Sequence, residues 1–196
     1  MVAVDLNVIG IAGVARVGKD TFCAEIIKEL DSLNIKSKRI AFADALKEDL
    51  ENFLFDKTGV NVYTNDCSDK NLIRPLLVEY GKLMRTISNG TYWIDKLKSK
   101  IEYNTSQNIT SIITDVRYEN ETKWINSLPR STTIHMQRYG IKYANLEEKE
   151  QDPLCKQNCI HHIAWETCPE DQIKKQSLQH IYEFITPKRK IRPVPN

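Results

Sequence analysis

Asn7-Val8-Ile9-Gly10-Ile11-Ala12 runs directly into Gly13-Val14-Ala15-Arg16-Val17-Gly18-Lys19-Asp20-Thr21, and this junction decides the fold. The residues after Asn7 form a short, unbroken apolar run rich in β-branched side chains, the pattern of a strand buried on both faces. Beyond the junction, Phe22, Ile26, Ile27, Leu30 and Leu33 recur at helical spacing, which predicts a helix over Thr21–Leu33. The segment between strand and helix reads G-x-x-x-x-G-K. Its glycines permit dihedrals and close approaches that a Cβ would block. Successive backbone N–H groups then face one concavity, and the helix dipole adds positive potential there. Such a nest grips phosphate. Gly13 to Lys19 is therefore expected to be a phosphate-binding loop, with the Lys19 ammonium set against the β- and γ-phosphates.

One position departs from the usual loop. The residue after the lysine is commonly Ser or Thr, whose hydroxyl binds Mg²⁺; here it is Asp20, followed by Thr21. A carboxylate is a good ligand for a hard cation, directly or through water, so the metal site is expected to be kept by altered means.

Working outward, β-branched runs predict further strands at Lys38–Phe42, Ile109–Thr114, Thr132–Gln137 and Ile160–Trp165. Helical patterns lie between and after them, at Leu46–Phe55, Leu72–Ile87, Tyr92–Ile101, Glu119–Leu128 and Glu170–Ile185. Pro75 is expected in the first turn of its helix, where a missing N–H is tolerated. Residues 138–157 are charged and short of large apolar side chains, which suits a mobile segment. Strands alternating with helices imply an α/β architecture with a parallel sheet covered on both faces. Ligands in such sheets bind outside the carboxyl ends of the strands.

The residues that follow the third strand therefore matter: Thr114-Asp115-Val116-Arg117-Tyr118-Glu119-Asn120-Glu121. Asp115 would stand beside the phosphate loop, where a carboxylate can hold Mg²⁺ water or a substrate hydroxyl. Arg117 would clamp a phosphate with two N–H groups. The bland reading is a helix N-cap and a surface arginine; the upstream loop favours the site. A third cluster joins Arg74, Glu79-Tyr80-Gly81-Lys82-Leu83-Met84-Arg85 and Tyr92-Trp93-Ile94-Asp95. It offers cations, a helix glycine for close approach and aromatic rings for stacking, against the plain alternatives of a solvated Arg85 and a core Trp93.

Composition narrows the classes. The 196 residues suit one globular domain, and 41% hydrophobic with 28% charged residues excludes collagen-like and wholly disordered chains. A net charge of +2 gives no reason to expect a long nucleic acid as partner. Residues 188–196 form a basic, proline-containing tail. No apolar run is long enough to span a bilayer, and the N-terminus, with Asp5 and no basic region, lacks signal-peptide character. Five cysteines, an odd number, read as free thiols of a reducing cytoplasm. Cys155, Cys159, His161, His162 and Cys168 could suggest zinc, but neighbours on a strand point to opposite faces, so the thiol reading is preferred.

Several of these segments together resemble a known family. The Gly13–Thr21 loop in its Lys19-Asp20-Thr21 form, Ala41-Phe42-Ala43-Asp44-Ala45-Leu46-Lys47, Arg74 with Gly81, Tyr92-Trp93, and Asp115-Val116-Arg117 with Asn120-Glu121 occur in one order. In this the chain resembles the phage-type deoxynucleoside monophosphate kinases, within the P-loop nucleoside monophosphate kinases, over about residues 7–185. The resemblance implies a three-layer α/β/α domain over residues 1–187 with a five-stranded parallel sheet of order 2-3-1-4-5. It also implies a helical monophosphate-binding region at 43–105 and a lid at 138–157.

The activity implied is ATP- and Mg²⁺-dependent phosphorylation of deoxynucleoside monophosphates, supplying DNA precursors in the cytoplasm (the host's, for a phage-encoded chain). Gly13 and Ala15 to Thr21 would cradle the ATP phosphates, and Asp20 and Asp115 would serve the metal. Asp44, Lys47, Arg74, Gly81, Lys82, Trp93, Asp115, Arg117 and Glu121 would line the deoxynucleotide site. Lys19, Arg74, Asp115, Arg117 and Arg138 would carry the chemistry, and a homodimer is left open. Two alternatives stand beside this reading: a P-loop kinase of another small metabolite, similar to dephospho-coenzyme A kinase, and an NTP-binding regulatory module that transfers nothing.

Overall fold

Every residue of Val8–Ala12 is buried, as its unbroken apolar run predicts, and this strand, β1, occupies the middle of a five-stranded sheet. The structure, a computed structural model, describes residues 6–166 and 170–185. The basic tail 188–196 and Cys168 lie outside the described residues. The other strands are β2 (Ser37–Ile40), β3 (Thr110–Val116), β4 (Ser131–Arg138) and β5 (His161–Trp165), in the order β2-β3-β1-β4-β5. All four pairings are parallel. The helices are α1 (Lys19–Ser32), α2 (Phe42–Thr58), α3 (Cys67–Ile87), α4 (Tyr92–Ser106), α5 (Glu119–Ser127), α6 (Leu146–Asn158) and α7 (Glu170–Ile185). Order and layering agree with the expected three-layer α/β/α arrangement. No helix among the described residues is long and apolar enough to cross a membrane.

The two-residue alternation of β1 builds two cores. Ile9 and Ile11 join Ile112, Ile134 and Ile163 beneath Phe22, Ile26 and Leu30 of α1 and Ile181 of α7. Val8 and Ala12 join Ile113 and Val116 on the other face, against Ala45, Trp93, Leu97, Ile101, Ile125 and Cys155. Each fully buried isoleucine or leucine contributes about 2 kcal/mol, so these faces lock the sheet before any polar contact is counted. A smaller cluster of Leu50, Leu54, Val62 and Ile73 joins α2 to α3.

Three expectations change. The second strand ends at Ile40, and Phe42 opens α2, because a carboxylate from β3 caps that helix there. Pro75 lies more than two turns into α3. Its missing N–H removes the intrahelical donor that the Asn71 carbonyl would otherwise have, at an exposed position of the helix. Residues 138–157, expected to be mobile, contain all but the last residue of the 13-residue helix α6. The overlooked signal is Asn145 three residues ahead of Glu148, a helix-start signature; the Asn145 side chain accepts from the Glu148 N–H at 2.9 Å.

Candidate functional site

The loop after β1 is shaped by close approaches. Gly13 has φ +128°, and a Cβ there would lie 2.3 Å from the Met136 carbonyl oxygen. Gly18 has φ +98°, and a Cβ there would lie 2.6 Å from Cζ2 of Trp165. Arg16, with φ 68°, takes the left-handed conformation without being glycine, at a cost of about 1 kcal/mol. Trp165, the last residue of β5, anchors the loop from below. Its indole N–H donates to the Val17 carbonyl at 2.7 Å, and its ring meets Phe22 edge-on at 5.8 Å. Sequence reading treated Trp165 only as a strand end; its task depends on a contact 148 residues away along the chain.

Lys19 opens α1 and is buried. Its ammonium donates to the carbonyls of Gly13 at 2.6 Å and Val14 at 2.8 Å, so it spans the loop it belongs to. Burial, and then the nearby Arg117 cation, push its pKa down to about 8, against the opposing pull of Glu148, Asp115 and Asp20. Asp20 and Thr21 follow on the exposed side of the first turn.

Asp115 stands at the carboxyl end of β3, where the sequence placed it, but its immediate partners were not foreseen. Gly10 of β1 pairs with Ile113 and Ala12 with Val116, so β3 carries one extra residue at this point. Such an irregularity re-aims side chains. The Asp115 carboxylate accepts from the N–H groups of Phe42 at 2.9 Å and Ala43 at 2.8 Å, capping α2 across the molecule. The residue at the start of α2, Ala41, has no capping side chain of its own. Burial raises the Asp115 pKa, while the two N–H donors and Arg117 pull it down. Each carboxylate oxygen keeps a second lone pair for a ligand.

Arg117 lies just past β3 with its side chain 51% exposed, and donates to Glu148 of α6 at 3.3 Å. The same Glu148 oxygen accepts from the Ala15 N–H, inside the loop, at 3.1 Å. A narrow cavity in front of the loop is lined by Gly13, Val14, Val116, Arg117, Glu148 and Asp152, with Cys155. Sequence reading did not single out Glu148, although the capping signature would have placed it on a helix. Asp152, one turn on, meets the buried His135 ring of β4 at 2.9 Å.

The remaining site candidates divide. Arg74 is exposed on α3, and among the described residues no hydrogen bond or ion pair engages it. Lys82, also on α3, pairs with Glu79 at 3.1 Å. Asp44 pairs with Arg39 at 3.0 Å, and the Lys47 ammonium lies 5.4 Å from the centre of the Tyr63 ring. Gly81 lets α3 approach Leu46 of α2, and its carbonyl accepts the Trp93 indole N–H at 3.2 Å. Arg138 closes β4 at the carboxyl edge of the sheet.

Two candidates are corrected. Trp93 is core: it is 2% exposed and wedged against Tyr80 and Tyr92, so it presents no face to a base. Glu121 is enclosed as well. It accepts from the N–H groups of Arg117 and Tyr118 and pairs with Arg85 at 3.0 Å, which makes it a positioning residue for the turn that carries Arg117. Burial raises its pKa to about 7, against the pull of Arg85. Arg85, weighed as a solvated residue, is instead stacked 3.4 Å from the centre of the Tyr118 ring, because Glu121 draws it inward.

The chemistry of the donors can be tested for Mg²⁺. Asp20 is 84% exposed and only 3.7 Å from the Arg39 side chain, and both Asp20 and Asp115 lie near enough to Lys19 to raise its pKa. Mg²⁺ typically takes one or two carboxylates and fills its shell with water and substrate phosphate oxygens; among the described residues no group of three or more His, Cys, Asp or Glu side chains is placed to hold a metal, so these carboxylates would need water and substrate oxygens to complete a site. Cys155 and Cys159 are buried free thiols with pKa values pushed up to about 12 by burial, which suits packing rather than zinc.

No family model and no curated protein matches the sequence. Among solved structures the chain is similar to shikimate kinase from Acinetobacter baumannii in complex with shikimate, at 9% identity and a TM-score of 0.48, covering 95% of this chain and 97% of that one. It is also similar to shikimate kinase from Bacteroides thetaiotaomicron, at 12% identity and a TM-score of 0.47, covering 91% and 97%.

Proposed function

We propose that this chain is a small-molecule phosphotransferase that moves the γ-phosphoryl group of ATP to a deoxynucleoside 5′-monophosphate, releasing ADP and a deoxynucleoside diphosphate. The observation that carries this reading is one juxtaposition. The Gly13–Thr21 nest after β1 and the Asp115–Arg117 turn at the end of β3 meet at the carboxyl edge of two adjacent parallel strands. That edge is where open α/β sheets bind their ligands. The acceptor class rests on the family resemblance of the same segments.

Phosphoryl transfer between two anions needs alignment and charge neutralisation more than covalent help. The acceptor phosphate oxygen attacks the γ-phosphorus, and the bond to the bridging oxygen breaks as ADP departs. The attacking oxygen is already anionic, so no strong general base is required. The loop amides and Lys19 would hold the donor phosphates. Arg117 would hold the acceptor phosphate, with Arg74 reaching in from α3. Arg138, with Lys142 or Lys149 from the segment after β4, would face the equatorial oxygens. Asp20 and Asp115 would hold Mg²⁺, which when bound neutralises charge on the β- and γ-phosphates. Asp44, Lys47, Gly81 and Lys82 would border the acceptor, and closure of 138–157 would keep water from the γ-phosphate.

The test is ADP formation that depends on an added monophosphate, measured across the common ribo- and deoxyribonucleotides. Lys19→Ala should lower transfer by roughly 100-fold or more while circular dichroism stays unchanged. Near-wild-type turnover of that variant overturns the phosphotransferase reading. Transfer to a different acceptor class would overturn only the choice of substrate.

A further inference from the structure

The cradle built for a phosphate already holds an anion of its own. Glu148 reaches from the first turn of α6 into the loop, and its side chain is only 9% exposed. One carboxylate oxygen accepts from the Ala15 N–H at 3.1 Å and from the Arg117 guanidinium at 3.3 Å. The other accepts from the Ala144 N–H at 2.9 Å. Lys19 lies close enough for Glu148 to raise its pKa. A loop amide, a guanidinium and a neighbouring ammonium around one buried carboxylate are the partners that a phosphoryl oxygen would otherwise take.

The rest of α6 is fastened nearby. Glu147 accepts from the Tyr118 hydroxyl, Asp152 meets His135 at 2.9 Å, and Cys155 is buried in the core. Asn145 caps the helix independently of the Glu148 side chain, through the Glu148 backbone N–H. Glu148 is therefore not needed to start α6, and its carboxylate is spent on the loop, Arg117 and the turn before the helix.

We propose that Glu148 is an internal anion that occupies the phosphate cradle of the free protein, so that a polyphosphate must displace it and thereby break the tie that the Glu148 carboxylate makes between the loop, Arg117 and the turn before α6. The proposal rests on the phosphate-binding reading of the loop but not on the identity of the acceptor. It supplies a coupling between donor binding and movement of the 138–157 segment. Any anion that wins Ala15 and Arg117 frees Glu148, because the Ala15 N–H and the Arg117 guanidinium that hold its carboxylate oxygen cannot serve a phosphate oxygen at the same place. A ligand bound against an internal competitor is weakened by the occupancy of that competitor, so removing it should tighten binding.

The experiment measures dissociation constants for ATP and for inorganic tripolyphosphate by calorimetry, with wild type, Glu148→Gln, Glu148→Ala and Lys19→Ala. Both Glu148 variants should bind each ligand about tenfold more tightly, since the lost contacts are charge-assisted hydrogen bonds. Equal or weaker binding by folded Glu148 variants overturns the proposal. Failure of Lys19→Ala to weaken binding would instead strike at the loop assignment itself. A second measurement needs no variant: hydrogen exchange on the wild-type chain. Tripolyphosphate should speed exchange at Ala144, which loses its carboxylate acceptor, and slow it at Ala15. Unchanged protection at Ala144 with tripolyphosphate bound overturns the proposal.

Discussion

A Cβ on Gly13 would lie 2.3 Å from a main-chain oxygen, whereas Leu72, Leu83 and Ile87 on α3 each leave more than half their surface to solvent. The phosphate loop is bounded by β4 at Met136, by Trp165 of β5 and by the end of β3, and backbone atoms supply much of the confinement. In α3 only Ile73 is fully buried, and the helix leans on a small satellite cluster with α2. Its neighbours α2 and α4 share the core through Ala45, Trp93, Leu97 and Ile101, and polar contacts add to this, with Tyr80, Tyr92 and Lys96 gathered on Asp49 and Lys100 on Glu48. The difference teaches where rigidity is invested. The loop after β1, proposed to grip the donor, is built into the centre of the sheet, while α3, proposed to border the acceptor, buries only Ile73 and rests on a small satellite cluster.

This contrast can be broken most severely at Gly13. Gly13→Ala forces a Cβ into a carbonyl oxygen at a φ that side chains avoid, and should cost about 3 kcal/mol of stability, read by urea unfolding. A loss below about 0.5 kcal/mol would mean that the loop yields as easily as α3.

A medium effect comes from pH. The free protein holds Lys19 at a pKa near 8, well below its ordinary 10.5, mainly because it is buried. Anion binding needs the charged ammonium. Raising the pH through about 8 should therefore weaken tripolyphosphate binding, by up to about tenfold per pH unit, until the bound-state pKa is passed. Stability follows the opposite sign: between pH 8 and 10.5 the unfolded chain binds more protons at this lysine, so this residue's contribution favours the fold increasingly as pH rises. A binding constant flat from pH 7 to 9.5 would show that the ammonium does not contribute to the grip.

The smallest effect should come from α3. Leu83→Ser removes a side chain that is 56% exposed, and stability should change by less than about 0.5 kcal/mol. A loss above about 2 kcal/mol would show that this face is covered in solution and would erase the contrast.

Much of this was legible in the sequence because it is written in local patterns. The apolar run of β1, the glycine spacing and the lysine of the loop, and the alternation of strands with helices led to a parallel α/β sheet, while its order 2-3-1-4-5 came from the family resemblance. Asp115 and Arg117 stand at and just past the carboxyl end of β3, as the strand pattern led one to expect, and residues there are privileged in such sheets. Other features depend on partners remote in the chain. Trp93 was offered as an aromatic for stacking and Glu121 was carried over from the family resemblance; in the structure Trp93 fills the core and Glu121 accepts from the N–H groups of the turn after β3. Trp165 looked like a strand end and proved to be the floor of the phosphate loop.

The sequence alone determined the strand–loop–helix unit, because hydrophobic periodicity and the dihedral demands of glycine act between residues a few positions apart. Only the tertiary structure decided that Asp115 caps α2, that Arg85 turns inward to Glu121 and that Glu148 sits in the cradle. Each of those is a polar group satisfying a donor 36 or more residues away. The burial that makes such pairing obligatory exists only once the sheet and its helices have come together.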